Sequence, residues 1–177
     1  MLLSLAACGK TAEPEKQELF AMDTYMSLAA YGDGAREALA AAAREINRLE
    51  RELSRTIETS DVYKLNAGVT ATVGDETAAL LRRAVEYSEI TGGLFDVTVA
   101  PLVTLWGITS DSPHIPSQSE IDSLLPTVGS GHIHLDGNSA MLDEGCAVDL
   151  GGIAKGYASD RVAQVLAQYG VTGAAVS

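Results

Sequence analysis

The sequence predicts an α+β fold. Three observations carry that prediction: segments with helical apolar spacing, short strand-like runs closed by glycine turns, and no regular strand–helix–strand rhythm of the kind that builds a doubly wound sheet. Of the 177 residues, 46% are hydrophobic and 20% charged, an ordinary globular composition that can bury a core.

Phe20–Tyr31 mixes aromatic and small apolar residues and reads as one strand, ended by Gly32-Asp33-Gly34. From Ala35 to Ser54, Leu39, Ala42, Ile46, Leu49 and Leu53 recur at spacings of three and four, with Arg and Glu on the other face, so this segment reads as a helix. A second helix runs from about Glu76 to Ile90 behind an Asp75 N-cap and stops at Gly92-Gly93. Leu94–Val99 reads as a short strand, with Asp96 and Thr98 on one face. Ser117-x-x-Glu120 is a capping box that opens a short helix through Leu125. His132–Leu142 is a hairpin turning on Asp136-Gly137. Val148-Asp149-Leu150 reads as a strand end, followed by a glycine pair and a third helix that ends near Tyr169-Gly170. Gly173–Ser177 reads as the first half of a strand with nothing to complete its sheet, so the sequence reads as a fragment truncated on its C-terminal side.

Lys and Arg number 12 against 24 Asp and Glu, a formal net charge of -12. That argues against nucleic-acid binding, which needs a cationic surface to displace counterions. A nucleotide cofactor is not excluded, because backbone N–H groups, a helix N-terminus or a divalent metal can hold a pyrophosphate. No run of 18 apolar residues occurs, and the two cysteines, Cys8 and Cys146, are too few for a disulfide framework. Leu5-Ala6-Ala7-Cys8-Gly9 resembles a bacterial lipobox whose Cys8 takes a lipid, preceded by less than a full signal peptide; the alternative is a chance run of small residues. Residues 1–8 are read as this residual signal, 9–18 as a polar tether and 19–177 as the domain. The expected place is the bacterial cell envelope, on the extracytoplasmic face of the inner membrane, held by the lipid anchor.

The segment from Val148 to Asp160 carries the chemistry. An acidic residue, a turn on Gly151-Gly152 and a helix mouth let a phosphate approach the backbone and meet helix N–H groups, with Lys155 placed to neutralise it. It is not a Walker A loop, since the Lys precedes Gly156 and no Ser or Thr follows directly. The plain alternative is a Gly-Gly turn with a solvated Lys. His132 and His134 share a strand face and could suggest a metal pair, but no third ligand stands near them in sequence; a solvated edge is the alternative.

Asp149–Asp160 (DLGGIAKGYASD) resembles the signature of the ApbE-type FAD:protein FMN transferases. Three further blocks match in order: Met22-Asp23-Thr24, with Asp23 where Gly is usual; Leu53–Asn66; and Gly93–Gly107. The resemblance implies an ApbE-like fold, binding of FAD as substrate with Mg²⁺, and transfer of FMN to a Ser or Thr hydroxyl of an exported redox protein as AMP leaves. It further implies that Met22, Thr56, Leu94, Phe95, Asp96, Asp149 and Lys155 bind FAD, and that Gly152 supplies a carbonyl to the metal. Thr56 stands where relatives can carry Tyr and offers no ring. No residue is assigned as catalytic. The remaining metal ligands are implied to lie in a later segment, so the 177 residues alone are expected to transfer no flavin. Two other readings stay open: Mg²⁺-dependent hydrolysis of FAD, and a non-catalytic flavin-binding lipoprotein.

Overall fold

The computed structural model describes residues 13–68, 71–108 and 110–177; Cys8, the lipobox and the first part of the tether lie outside them. The chain divides into two compact units, one from the N-terminal side through Ile46 together with Ser159–Ser177, the other Asn47–Ala158. Helices and antiparallel strands are mixed as an α+β fold requires. Among the described residues no helix is long and apolar enough to cross a membrane.

In the first unit, β1 (Glu15–Ala21) and β2 (Thr24–Tyr31) form a hairpin, and β6 (Gly173–Val176) pairs with β2 on its other side. The single strand expected over 20–31 is therefore two, and four residues assigned to the tether, 15–18, are strand. The turn explains the misreading. Met22 (φ 53°) and Asp23 (φ 55°) both adopt the left-handed conformation of a two-residue type I′ turn, without the glycine or asparagine that announces one. β6 finds its partner in β2, where the sequence reading named none, with Ser27 and Ser177 exchanging backbone hydrogen bonds at 2.8 and 3.0 Å. Helix α1 (Ala35–Leu53) lays Ala35, Ala38, Leu39, Ala42 and Ile46 against Met26, Leu28 and Ala30. Val162 and Leu166 of α6 (Gly151–Ala167) close the same core. Small side chains on α1 let helix and sheet approach closely; each fully buried Leu or Ile contributes about 1.5–3 kcal/mol.

In the second unit, Ser60 caps α2 (Asp61–Asn66) by accepting the Tyr63 N–H. β3 (Ala71–Thr72) joins a hairpin of β4 (Ile133–Asp136) and β5 (Ser139–Leu142) in a sheet ordered β3-β5-β4. The hairpin turns on Gly137-Asn138, one residue later than expected, because Asp136 pairs with Ser139 and only Gly137 has positive φ. Helix α3 (Asp75–Ile90) starts behind Gly74 and not behind an Asp75 cap. The Asp61 carboxylate of α2 receives the Gly74 N–H at 2.7 Å and the buried Thr77 hydroxyl at 2.9 Å, while Asp75 receives Asn138.

Residues 94–99 are not a strand. Asp96 accepts the Thr98 N–H at 2.8 Å, winding Val97–Val99 into a 3-10 turn that leads into α4 (Ala100–Trp106). The capping box at Ser117 forms as expected and opens α5 (Gln118–Leu124). Val148–Leu150 joins no sheet, so the strand end expected there does not form.

Candidate functional site

The site is built in the second unit, where α6 begins. Asn66, last residue of α2, donates to the Val148 carbonyl at 2.8 Å and accepts the Val148 N–H at 2.7 Å. The Asp149 N–H donates to the Val97 carbonyl at 2.7 Å. A residue 82 positions away and the 3-10 turn thus hold a segment that no strand partner supports. The Asp149 carboxylate is shared: Oδ1 accepts the Gly151 N–H at 2.8 Å and Oδ2 faces Arg55 Nε at 2.9 Å. Both side chains are mostly buried, and Arg55 Nη1 reaches the Thr104 hydroxyl at 3.5 Å. The carboxylate therefore occupies the Gly151 N–H, one of the donors that the sequence pattern offers to a phosphate.

Phe95 is brought to the same corner. Its N–H donates to the Thr91 hydroxyl at 3.0 Å, its ring meets Tyr87 edge to face at 6.2 Å, and a methyl added to Gly152 would come within 3.1 Å of its edge. Gly152 is thus the size its neighbour allows. Leu94 is almost entirely exposed. Asp96 is committed internally, its carboxylate accepting the Thr98 N–H, the Thr98 hydroxyl at 2.5 Å and the Ser88 hydroxyl at 3.3 Å. Thr98 is fully buried and accepts the Gly129 N–H, so Asp96 and Thr98 do not form an open polar wall. Lys155 is exposed on α6. Thr56 is exposed and its hydroxyl pairs with Ser54. Met22 belongs to the other unit, in the β1–β2 turn.

A cavity of about 710 Å³, ligand-sized, opens in the second unit between Arg55, Asn66, Pro101, Thr104 and the loop from Asp143 to Ala147. Sequence reasoning assigned nothing to Arg55 or Asn66, although both lie in the block Leu53–Asn66; the signal was the polar residues at its two ends. Cys146 lines this cavity as a buried thiol, and burial pushes its pKa up, which makes it a poor nucleophile.

His132 Nδ1 lies 2.9 Å from Asp143 Oδ2, and His134 Nε2 lies 2.7 Å from Asp143 Oδ1. These hydrogen bonds, that of His132 first, hold the Asp143 carboxyl below the usual range. Among the described residues no group of three or more His, Cys, Asp or Glu is placed to hold a metal ion. Gly152 offers a carbonyl alone, so the described residues do not compose the octahedral oxygen shell that Mg²⁺ requires.

The sequence profile of the ApbE family matches residues 22–177. The chain belongs to the ApbE family. The match takes in every residue assigned above except Cys8. An FAD:protein FMN transferase from Vibrio cholerae is 31% identical over 137 residues, covering 72% of this chain and 41% of that protein. One from Haemophilus influenzae is 30% identical over 189 residues, covering 95% of this chain and 53% of that protein. The chain therefore spans about half the length of the ApbE relatives it matches. Solved structures agree with the fold. An ApbE protein from Thermotoga maritima superposes with a TM-score of 0.87 at 31% identity, over 93% of this chain and 56% of that one. A flavin transferase ApbE from Vibrio cholerae gives 0.80 at 26% identity, over 93% and 57%.

Proposed function

We propose that the protein takes part in moving FMN from FAD to a Ser or Thr hydroxyl of an acceptor protein. The observation that carries this reading is the family match over residues 22–177, which includes the Asp149-Gly151-Gly152 corner. In the transfer, the acceptor oxygen bonds to the phosphorus on the FMN side of the pyrophosphate. The P–O bond to AMP breaks, AMP departs with the electron pair, and the hydroxyl proton passes to a base. The chain's own part is to bind and orient. Asp149 accepts hydrogen bonds from FAD, Phe95 and Leu94 give apolar contact, and Lys155 offsets phosphate charge, while Met22, Thr56 and Asp96 belong to the same proposed contact set through the resemblance.

Mg²⁺ is part of the proposal from the resemblance alone, with Gly152 as one ligand. A lipid on Cys8, holding the protein at the outer face of the inner membrane, is supported by Leu5–Gly9.

The test uses the complete product of the gene with FAD, Mg²⁺ and an acceptor protein, scoring covalent flavin fluorescence in denaturing gels. The expected result is a labelled acceptor, weakened about 10–100-fold by Asp149→Ala, the loss of a hydrogen bond to a charged group. No labelled acceptor, with free FMN and AMP released instead, would assign the protein to hydrolysis and overturn the transfer reading. Incorporation of labelled fatty acid, abolished by Cys8→Ala, tests the anchor.

A further inference from the structure

The backbone ahead of α6 is pinned without help from Arg55. Asn66 brackets Val148, and Val97 takes the Asp149 N–H. The orientation of the Asp149 carboxylate is a separate matter. Rotation about the last bond of an Asp side chain is soft and two-fold, so one hydrogen bond to Oδ1 leaves the plane of the group loosely set. A second donor on the other oxygen sets it, and Arg55 Nε at 2.9 Å from Oδ2 is that donor. A guanidinium is well suited to this, being planar, permanently charged and equipped with donors in a rigid fork, of which Nη1 reaches Thr104 at 3.5 Å. Arg55 also lines the 710 Å³ cavity, so the pair links that cavity to the mouth of α6.

We infer that Arg55 is a positioning residue for the flavin nucleotide. By fixing the plane of the Asp149 carboxylate, it aims the lone pairs that receive the ligand. The inference rests on the reading of Asp149 as an FAD contact. Its consequence is specific: loss of Arg55 weakens FAD binding through Asp149, in ground and transition state alike, so affinity falls while turnover of bound FAD holds.

The experiment uses the complete gene product. FAD affinity is measured by flavin fluorescence titration, and the rate of acceptor labelling at saturating FAD is measured beside it. Arg55→Gln is expected to raise Kd about tenfold and change the saturated rate less than about threefold. Arg55→Lys, which restores one charged donor without the fork, is expected to bring Kd back to within about threefold of the parent. In an Asp149→Asn background either Arg55 variant should add less than about twofold, since the residue acts through Asp149. An unchanged Kd in Arg55→Gln overturns the inference, as do effects of Arg55 and Asp149 variants that simply multiply. Should Arg55→Gln not fold, Arg55→Met, which keeps the apolar stem and removes the charged donors, takes its place in the same cycle with Asp149→Asn. Failure of the underlying reading looks different: the parent does not bind FAD, or Asp149→Asn leaves Kd unchanged.

Discussion

At the scale of single residues, close approaches matter more than polarity. Gly34 shows this. A methyl built on it runs into the backbone carbonyl of Tyr169, which has no side-chain freedom with which to yield. Gly34→Ala is expected to cost about 1–3 kcal/mol. Gly156→Ala, in the interior of α6 where an added methyl meets nothing within 4 Å, is expected to gain about 0.5–1 kcal/mol from helix propensity. Urea unfolding midpoints of the two variants against the parent check both signs. Gly34 was legible in the sequence only as part of a strand-ending cluster, because the carbonyl it faces belongs to Tyr169, far along the chain, and no local pattern encodes it. Arg55 was illegible as a partner of Asp149 for the same reason. Met22 and Asp23 went unread as a turn because both carry side chains in a conformation that most residues avoid.

At the scale of elements, the starts of the helices separate local signals from distant ones. Ser117 and Glu120 cap α5 from within three residues, and the sequence shows them directly. The start of α3 depends on Asp61, thirteen residues upstream of the Gly74 N–H that it accepts. Asp61→Ala removes the acceptor of the Gly74 N–H and leaves the buried Thr77 hydroxyl without the carboxylate it donates to. The expected loss is about 1–3 kcal/mol, measurable as a lower midpoint in thermal unfolding followed by circular dichroism. The same contrast explains residues 94–99. Alternating apolar residues favour a strand, but the Asp96 side chain bonds two residues ahead and bends the backbone into a turn before any strand partner can claim it.

At the scale of the whole molecule, periodicity carried the fold class. α1 and α5 lie close to where the spacing and the capping box put them, whereas the strands at the ends of the chain pair with partners that no local pattern names. Acid response also belongs here, for a chain of net charge -12 with half as many cations as anions. The His132 and His134 hydrogen bonds keep the folded Asp143 carboxyl below its unfolded value. The sign follows: this contribution is fully present above the ordinary Asp range near pH 4 and is lost as pH falls through the depressed folded value. Asp143→Asn should therefore lower the urea midpoint near pH 5, and the gap from the parent should close as the pH drops below about 4.

The strand order β1-β2-β6 leaves two margins on the first sheet among the described residues. The β1 margin carries Glu15, Lys16 and Glu18, charges that discourage another chain from docking there. The β6 margin is Gly-Ala-Ala-Val, uncharged and exposed at all four positions. Added salt screens the charges on the β1 margin, so their guard weakens as ionic strength rises.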